Sequence, residues 1–148
     1  MTDIQTSTRW IEITLQELSK LSDDSASTIM NTCGKNCCEA SVLYQNALTI
    51  RESYSSETNA DVMLQAFKAK YPDTDALPKE GNRITLVFSE CTCPLVKNGV
   101  TNPFICNCTT GFSKHFFKTL LGKKVEVTLE ESILRGDSQC KQYITICE

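Results

Sequence analysis

Seven of the nine cysteines of this 148-residue chain lie in two short segments. The first is CGKNCC at residues 33–38, and the second is CTCPLVKNGVTNPFICNC at residues 91–108, which holds two Cys-x-Cys pairs. Thiolates bind soft metal ions and also serve as nucleophiles and redox groups. Because nine is an odd number, one chain cannot pair all of them in disulfides. Three uses stay open: a metal site, a reactive or ligand-binding thiol pocket, and the packing of small apolar side chains.

The spacing of the two Cys-x-Cys pairs suits a hairpin. Residues two apart in a strand point to the same face, so a turn at Asn98-Gly99 would gather four sulfurs on one side. Two cysteines four residues apart on one helix face could supply further ligands for Zn²⁺, copper(I) or an iron–sulfur cluster. The candidate metal ligands, which are also candidate ligand-binding residues, are Cys33, Cys37, Cys93, Cys106 and Cys108.

Cys108 is the candidate nucleophile. It directly precedes TTG, where a helix through Leu121 is predicted to begin. The positive end of the helix dipole lowers the pKa of a thiol in that position. Glu131 or His115, the only histidine, would then serve as the base or orienting group. In the alternative interpretation Cys108 only fills space before Thr109.

The end of the chain carries a carboxylate on an apolar face. KVEVTLEESIL and QCKQYITIC predict two strands joined by RGDS, with Val127 opposite Ile146. This register places Glu131 opposite Gln142 among apolar neighbours. Such a carboxylate is costly unless it is hydrogen-bonded, and functional acids often have this environment. Glu131 is therefore a candidate catalytic and ligand-binding residue, although a bulge at 130–131 would turn it outward.

The elements that must position these residues follow from the apolar periodicity. Helical spacing predicts helices over residues 10–21, 29–47 and 58–70, with a break at 33–34 as an alternative within the second. Strands are predicted from residue 82 and through PFICNC, then a helix that ends at Gly122, then the final two strands. The order ααα-ββ-α-ββ predicts one α+β domain over residues 1–148. Its N-terminal helices pack on an antiparallel sheet of about four strands.

Composition excludes several classes of function. A net charge of -3 and a pI near 5.2 argue against a nucleic-acid-binding surface. No apolar run reaches the roughly 18 residues of a membrane span. A basic segment followed by an apolar one is missing from the first residues, so we expect a cytoplasmic protein with reduced thiols. HExxH, GxSxG and Gly-rich phosphate loops are absent.

The segment CNCTTGFSKHFFKTLLGKKVEVTLEESILRGDSQCKQYITI, residues 106–146, resembles the 4-vinyl reductase-type domain. The resemblance lies in a small-residue helix start, a helix ending in Leu-Gly, a Val-rich strand, and a Gly-Asp turn followed by Cys. With CGKNCC and CTCPLVKNG, the pattern is similar to a cysteine-rich bacterial branch of that superfamily. The resemblance implies helices on an antiparallel sheet, the binding of apolar small molecules, and kinship of fold with vesicle-tethering proteins.

Three hypotheses about function follow. The leading one is a cytosolic small-molecule-binding or sensing domain whose cysteine-lined pocket can hold a metal. The second is a thiol-dependent hydrolase, because the closing Gly…Cys hairpin is also similar to thiazoline-carboxylate hydrolases. However, CNCTT lacks the carboxylate of that group's Cys…Asp arrangement. The third is an interaction module whose helical face pairs in a homodimer.

Overall fold

The computed structural model describes residues 2–22, 24–72 and 77–147, and it has the predicted α+β architecture. Helices dominate the first half of the chain, and three of the four strands follow from Arg83 onward. In chain order the elements are α1 Asp3–Leu18, α2 Ser25–Glu39, α3 Val42–Ser53, α4 Ala60–Lys70, β1 Lys79–Glu80, β2 Arg83–Phe88, α5 Pro94–Lys97, α6 Cys106–Leu121, β3 Val125–Glu131 and β4 Cys140–Ile146. Short 3₁₀ turns span Pro103–Ile105 and Ile133–Arg135.

Side-chain caps decide where the N-terminal helices begin. Thr2 and Gln5 form a reciprocal capping box, so α1 starts seven residues before the predicted position 10. Ser41 accepts a hydrogen bond from the backbone N–H of Tyr44 and begins α3. The predicted second helix is therefore two helices that separate at residues 40–41, and the alternative break at 33–34 is wrong. Asn59 caps α4.

The sheet has the strand order β1-β2-β4-β3, and every neighbouring pair is antiparallel. Ile84 and Val127 both lie opposite Ile144 on the two sides of β4. The predicted register of the last two strands is wrong by two residues, because Val125 rather than Val127 faces Ile146. A bulge between Leu129 and Glu131 shifts the rest of that ladder.

The predicted cysteine hairpin at residues 91–108 does not form. Pro94 occupies the first turn of α5, where its missing N–H costs nothing. The side chain of Asn102 accepts a hydrogen bond from the N–H of Phe104 and caps the 3₁₀ turn that leads into α6. Cys106 and Cys108 therefore lie in the first turn of a helix, where residues two apart differ by about 200° in direction.

Helix α6 joins the N-terminal helices to the sheet. Phe116, Phe117, Leu120 and Leu121 are buried in one core with residues of α3, α4, β2 and β4. As predicted, Gly122 ends the helix in the left-handed conformation, with φ of 65°. No described helix is long and apolar enough to cross a membrane.

The axes of α2 and α6 approach until their backbones touch. A Cβ atom built on Gly34 would lie 1.9 Å from the carbonyl oxygen of Cys108, and one built on Gly111 would lie 2.6 Å from the Cα of Asn31. Contacts of this kind are open only to glycine. They bring the cysteines of α2 next to the first turn of α6.

Candidate thiol sites

Four cysteines from three parts of the chain lie close enough beside the α2–α6 contact to affect one another electrostatically. We call them the first thiol cluster: Cys33, Cys37, Cys93 and Cys108. Cys37, Cys33 and Cys93 all act electrostatically on Cys108, and Cys37 has the largest effect of the three. Cys33 and Cys37 flank Gly34 on α2, and Cys93 directly precedes α5. Four of the five predicted ligand cysteines are thus neighbours, although the predicted hairpin is not what assembles them.

The environment of Cys108 keeps its thiol protonated. Burial raises the pKa of Cys108 to about 12, and the neighbouring thiols of Cys37, Cys33 and Cys93 raise it further in the same direction. The prediction that the helix dipole lowers this pKa is wrong, because a dipole contributes only about 0.3–1 kcal/mol at a helix end. Desolvation and like charges outweigh it. At neutral pH Cys108 therefore lacks the thiolate that a nucleophile needs.

Cys106 belongs to a separate group, here called the second thiol cluster, in which Cys140 and Cys91 act on it electrostatically. Its Sγ lies 3.3 Å from Oγ of Ser132, and the next backbone N–H, that of Ile133, donates to Sγ of Cys140 at 3.5 Å. Burial raises the pKa of Cys106, and the hydrogen bond with Ser132 opposes that effect. The prediction that Cys106 and Cys108 line one site is therefore wrong, because the first turn of α6 directs the two side chains to different sides.

Glu131 does not meet Gln142. After the bulge Glu131 lies opposite Lys141, and its Oε2 accepts a hydrogen bond from Nε2 of Gln139 at 2.8 Å. The bulge alternative is thus the correct one, and the carboxylate is half-buried and paired. Gln142 instead faces Leu129 and is 2% exposed, with no hydrogen-bond partner for its Oε1.

Two further cysteines and the histidine are engaged in core packing or in local contacts. Cys38 is fully buried in the core, where burial raises its pKa to about 12. Cys147, which directly follows β4, donates to the carbonyl of Thr145. His115 stacks on Tyr44, with ring centroids 5.2 Å apart, and its Nε2 lies 3.0 Å from Oε1 of Glu39.

Two depressions on the described surface have no cysteine in their lining. One lies at the start of α2 and the other between α1 and the segment that follows α5. Within residues 2–22, 24–72 and 77–147, no group of three or more His, Cys, Asp or Glu side chains is placed so that it could hold a metal ion. The metal site stays a prediction.

Sequence reasoning missed Cys140 and Ser132 as neighbours of Cys106, whereas the predicted hairpin placed Cys91 on the same face as Cys106. A signal for Cys140 was present, since it follows the Gly-Asp turn that the resemblance singled out. Ser132 had no such signal. Its position depends on the 3₁₀ turn after β3, which the two-strand prediction replaced with a simple hairpin.

Comparisons with known proteins give a family and a distant fold neighbour. The model of a family of unknown function, DUF6144, matches residues 1–148. No curated protein matches the chain. One solved structure that it is similar to is a trafficking protein particle complex subunit 3 from Naegleria fowleri, covalently bound to palmitic acid. The identity is 15%, 97% of each chain is covered, and the TM-score is 0.43.

Proposed function

Because this chain belongs to the DUF6144 family, whose function is unknown, we propose a function from the geometry of its first thiol cluster. The protein is a sensing domain that binds a soft metal ion of the zinc(II) class through Cys33, Cys37, Cys93 and Cys108. The observation that supports this proposal is that Cys33, Cys37 and Cys93 all lie close enough to Cys108 to act on it electrostatically, beside the α2–α6 backbone contact. Of the predicted small-molecule-binding or sensing functions, this proposal selects the one in which the cysteines bind a metal ion.

Four thiolates are a set that zinc(II) accepts readily, with tetrahedral geometry. Burial and mutual repulsion keep the free thiol of Cys108 protonated, and a bound cation reverses both effects by compensating the negative charge. Metal binding must therefore release protons, and affinity must rise with pH. A rise in metal affinity with pH is typical of a site whose thiols must lose their protons before they can bind the ion.

The two exposed thiols of the cluster can move to complete a metal site. Cys33 and Cys37 are exposed and lie one turn apart on α2, so each can change its χ1 rotamer without losing core contacts. Cys93 and Cys108 are half-buried and pack against the core formed around Leu15 and Met30. In the proposed bound state the two exposed thiols change rotamer to join the two half-buried ones around one ion, which would then tie α2, α6 and the segment before α5 together.

Metal binding through these cysteines requires reduced thiols, which a cytoplasmic location would supply. The hydrolase alternative has less support. A thiol-dependent hydrolase needs a thiolate near neutral pH, and the raised pKa of Cys108 opposes this. An apolar small-molecule ligand and a homodimer stay predictions, which fluorescent-lipid binding and sedimentation at several concentrations can test.

Metal analysis of anaerobically purified protein tests the proposal. We expect one equivalent of zinc per chain, and on replacement with Co²⁺ the sulfur-to-cobalt charge-transfer absorption and visible bands of a tetrahedral thiolate site. Cys37→Ser and Cys108→Ser should each lose the zinc, whereas Cys147→Ser, outside both clusters, should keep it. Protein that takes up neither metal, or Cys37→Ser and Cys108→Ser variants that retain a full equivalent, would overturn the proposal.

A further inference from the structure

Helix α1 is attached to the rest of the fold by little burial. It has 16 residues, of which Leu15 is the buried one, whereas α6, which has the same length, buries seven. An element with few buried apolar contacts opens at a lower free energy than the whole domain unfolds. Packing alone therefore holds α1 weakly.

Two polar side chains of α1 fasten it to the segment between α5 and α6. Oε1 of Glu12 accepts the backbone N–H groups of Thr101 and Asn102, the second at 3.1 Å, and the hydroxyl of Thr101 lies 3.4 Å from the same oxygen. The hydroxyl of Thr8 donates to the carbonyl of Asn98 at 3.1 Å. In the part of the chain that the structure describes, these are the side-chain hydrogen bonds that join α1 to other elements. We call them the latch.

The apolar packing along this side of α1 is incomplete. A depression of about 210 Å³ lies between α1 and residues 95–100, with Ile4 and Ile11 on one side and Leu95 and Val100 on the other. Ile4 is 60% exposed, so the first turns of the helix gain little from burial. The latch is therefore the main attachment of the N-terminal half of α1.

The side chains beneath α1 form an apolar cluster that includes thiols. Leu15 belongs to this buried cluster together with residues of α2 and of the segment before α6, among them Met30, Val100 and Ile105. Cys93 and Cys108 pack against the cluster, as do Ile11 and Leu18 of α1. Movement of α1 away from the cluster would uncover Cys93 and Cys108.

We propose that α1 is a lid, that Glu12 is the main part of its latch, and that opening of the lid exposes Cys93 and Cys108 to solvent. The lid turns about residues 19–22, whose side chains are all exposed, so the movement breaks no core contact there. The role of the lid in admitting a metal ion to these two thiols rests on the function proposed above. The movement of the lid does not.

Hydrogen exchange of full-length, reduced, metal-free protein tests the lid. Glu12→Ala removes the acceptor of two backbone N–H groups, so the amides of α1 should exchange about 10–100-fold faster, which is the factor expected when hydrogen bonds to a charged group are lost. Peptides from α6 and β4 should keep their wild-type rates. The matched control is Glu17→Ala, because Glu17 lies on the same helix and pairs with Lys20, three residues along the chain. That variant should exchange like wild type.

A second variant and a second measurement keep the test valid if Glu12→Ala folds poorly. Glu12→Gln retains an uncharged acceptor oxygen and should give an intermediate exchange rate. In both variants N-ethylmaleimide should label Cys93 faster than in wild type, relative to Cys147 in the same protein. Unchanged exchange of α1 in both variants, or an acceleration that extends equally to α6 and β4, would refute the lid.

The uptake of Co²⁺ separates the lid from the proposed metal site. If both proposals hold, Glu12→Ala should reach the same final cobalt–thiolate absorbance as wild type, but sooner. Protein that binds no Co²⁺ would refute the proposed function and leave the exchange result unaffected. Equal uptake rates in wild type and Glu12→Ala would refute the role of the lid in metal entry.

Discussion

Gly34→Ala should destabilise the fold more than any ordinary helix substitution would. The new Cβ would lie 1.9 Å from the carbonyl oxygen of Cys108 and 2.7 Å from the backbone nitrogen of Phe112. A comfortable carbon–oxygen contact is about 3.3–3.6 Å, so α2 and α6 would have to separate by about 1.5 Å at this point. Both obstructing atoms belong to the backbone, and no side-chain rotation can relieve the contact.

Two opposing effects set the magnitude. Alanine gains about 1 kcal/mol over glycine from helix propensity. Overpacking a core lowers the free energy of unfolding by about 1–3 kcal/mol and occasionally more. Because the new Cβ meets backbone atoms, we expect a loss at or above the upper end of that range. We expect a net loss of about 2–3 kcal/mol in the free energy of unfolding. For a chain of this size that corresponds to a Tm lower by about 4–12 °C.

Urea and thermal unfolding followed by circular dichroism measure the effect. The matched control is Asn36→Ala, an exposed position on the same helix whose side chain bonds only to the carbonyl of Thr32. We expect that variant to stay within about 0.5 kcal/mol of wild type. If the first thiol cluster binds metal as proposed, Gly34→Ala should also weaken cobalt binding, because it moves the α2 thiols away from Cys108. A Gly34→Ala protein as stable as wild type would refute the backbone contact.

Three further predictions follow from the described contacts. Arg51 donates to the carbonyls of Glu57 and Leu121. Arg51→Lys keeps the charge but not the planar fork, so it should lower the free energy of unfolding by about 1–3 kcal/mol in urea titrations. An unchanged urea midpoint would contradict this. Gln142→Met removes a buried carbonyl without a partner and should be neutral or raise stability by about 1 kcal/mol in thermal melts, whereas a clear loss would show that this oxygen has a partner. With a pKa of about 12, Cys108 in metal-free protein should react with iodoacetamide at neutral pH about 10³-fold more slowly than an unperturbed cysteine. Its rate should keep rising as pH rises towards 12, and a plateau near pH 9 would contradict that.

Local patterns predicted the elements that have a strong period of their own. The apolar face of α6, its glycine end and the two closing strands were all readable, because each depends on neighbours in sequence. The class of fold followed from their order. The start of α1 was misplaced because the capping box at Thr2 and Gln5 lies outside the apolar periodicity that defined the prediction.

The segment 91–108 shows why alternation alone misleads. Its two Cys-x-Cys pairs have the period of a strand, and Asn98-Gly99 is a common hairpin turn. Pro94 and Pro103 carried the opposite signal, since each occupies the first turn of a short helix. Turn propensity alone could not distinguish a hairpin from two short helices. The choice depends on long-range contacts, since Val100 and Ile105 are buried against α1 and α2.

The register of β3 and β4 was wrong for a related reason. Matching apolar faces allows any shift by an even number of residues, and the predicted and observed registers differ by two. The bulge at Glu131 and the 3₁₀ turn at Ile133–Arg135 absorb the difference. These features also place Ser132 and Cys140 beside Cys106, so the second thiol cluster could not have been found without them.

Glycine, more than cysteine, determines where the first thiol cluster can form. From sequence Gly34 indicates only a weak or broken helix, because glycine costs about 1 kcal/mol in a helix interior. In the fold it lies within a continuous α2 and admits the carbonyl of Cys108, and Gly111 reciprocally admits the backbone of Asn31. A helix that accepts this cost must gain more from the close approach than it loses in propensity. The close approach also lets Cys33 and Cys37 act electrostatically on Cys108, which helices at the usual separation of about 8–10 Å would hold farther apart.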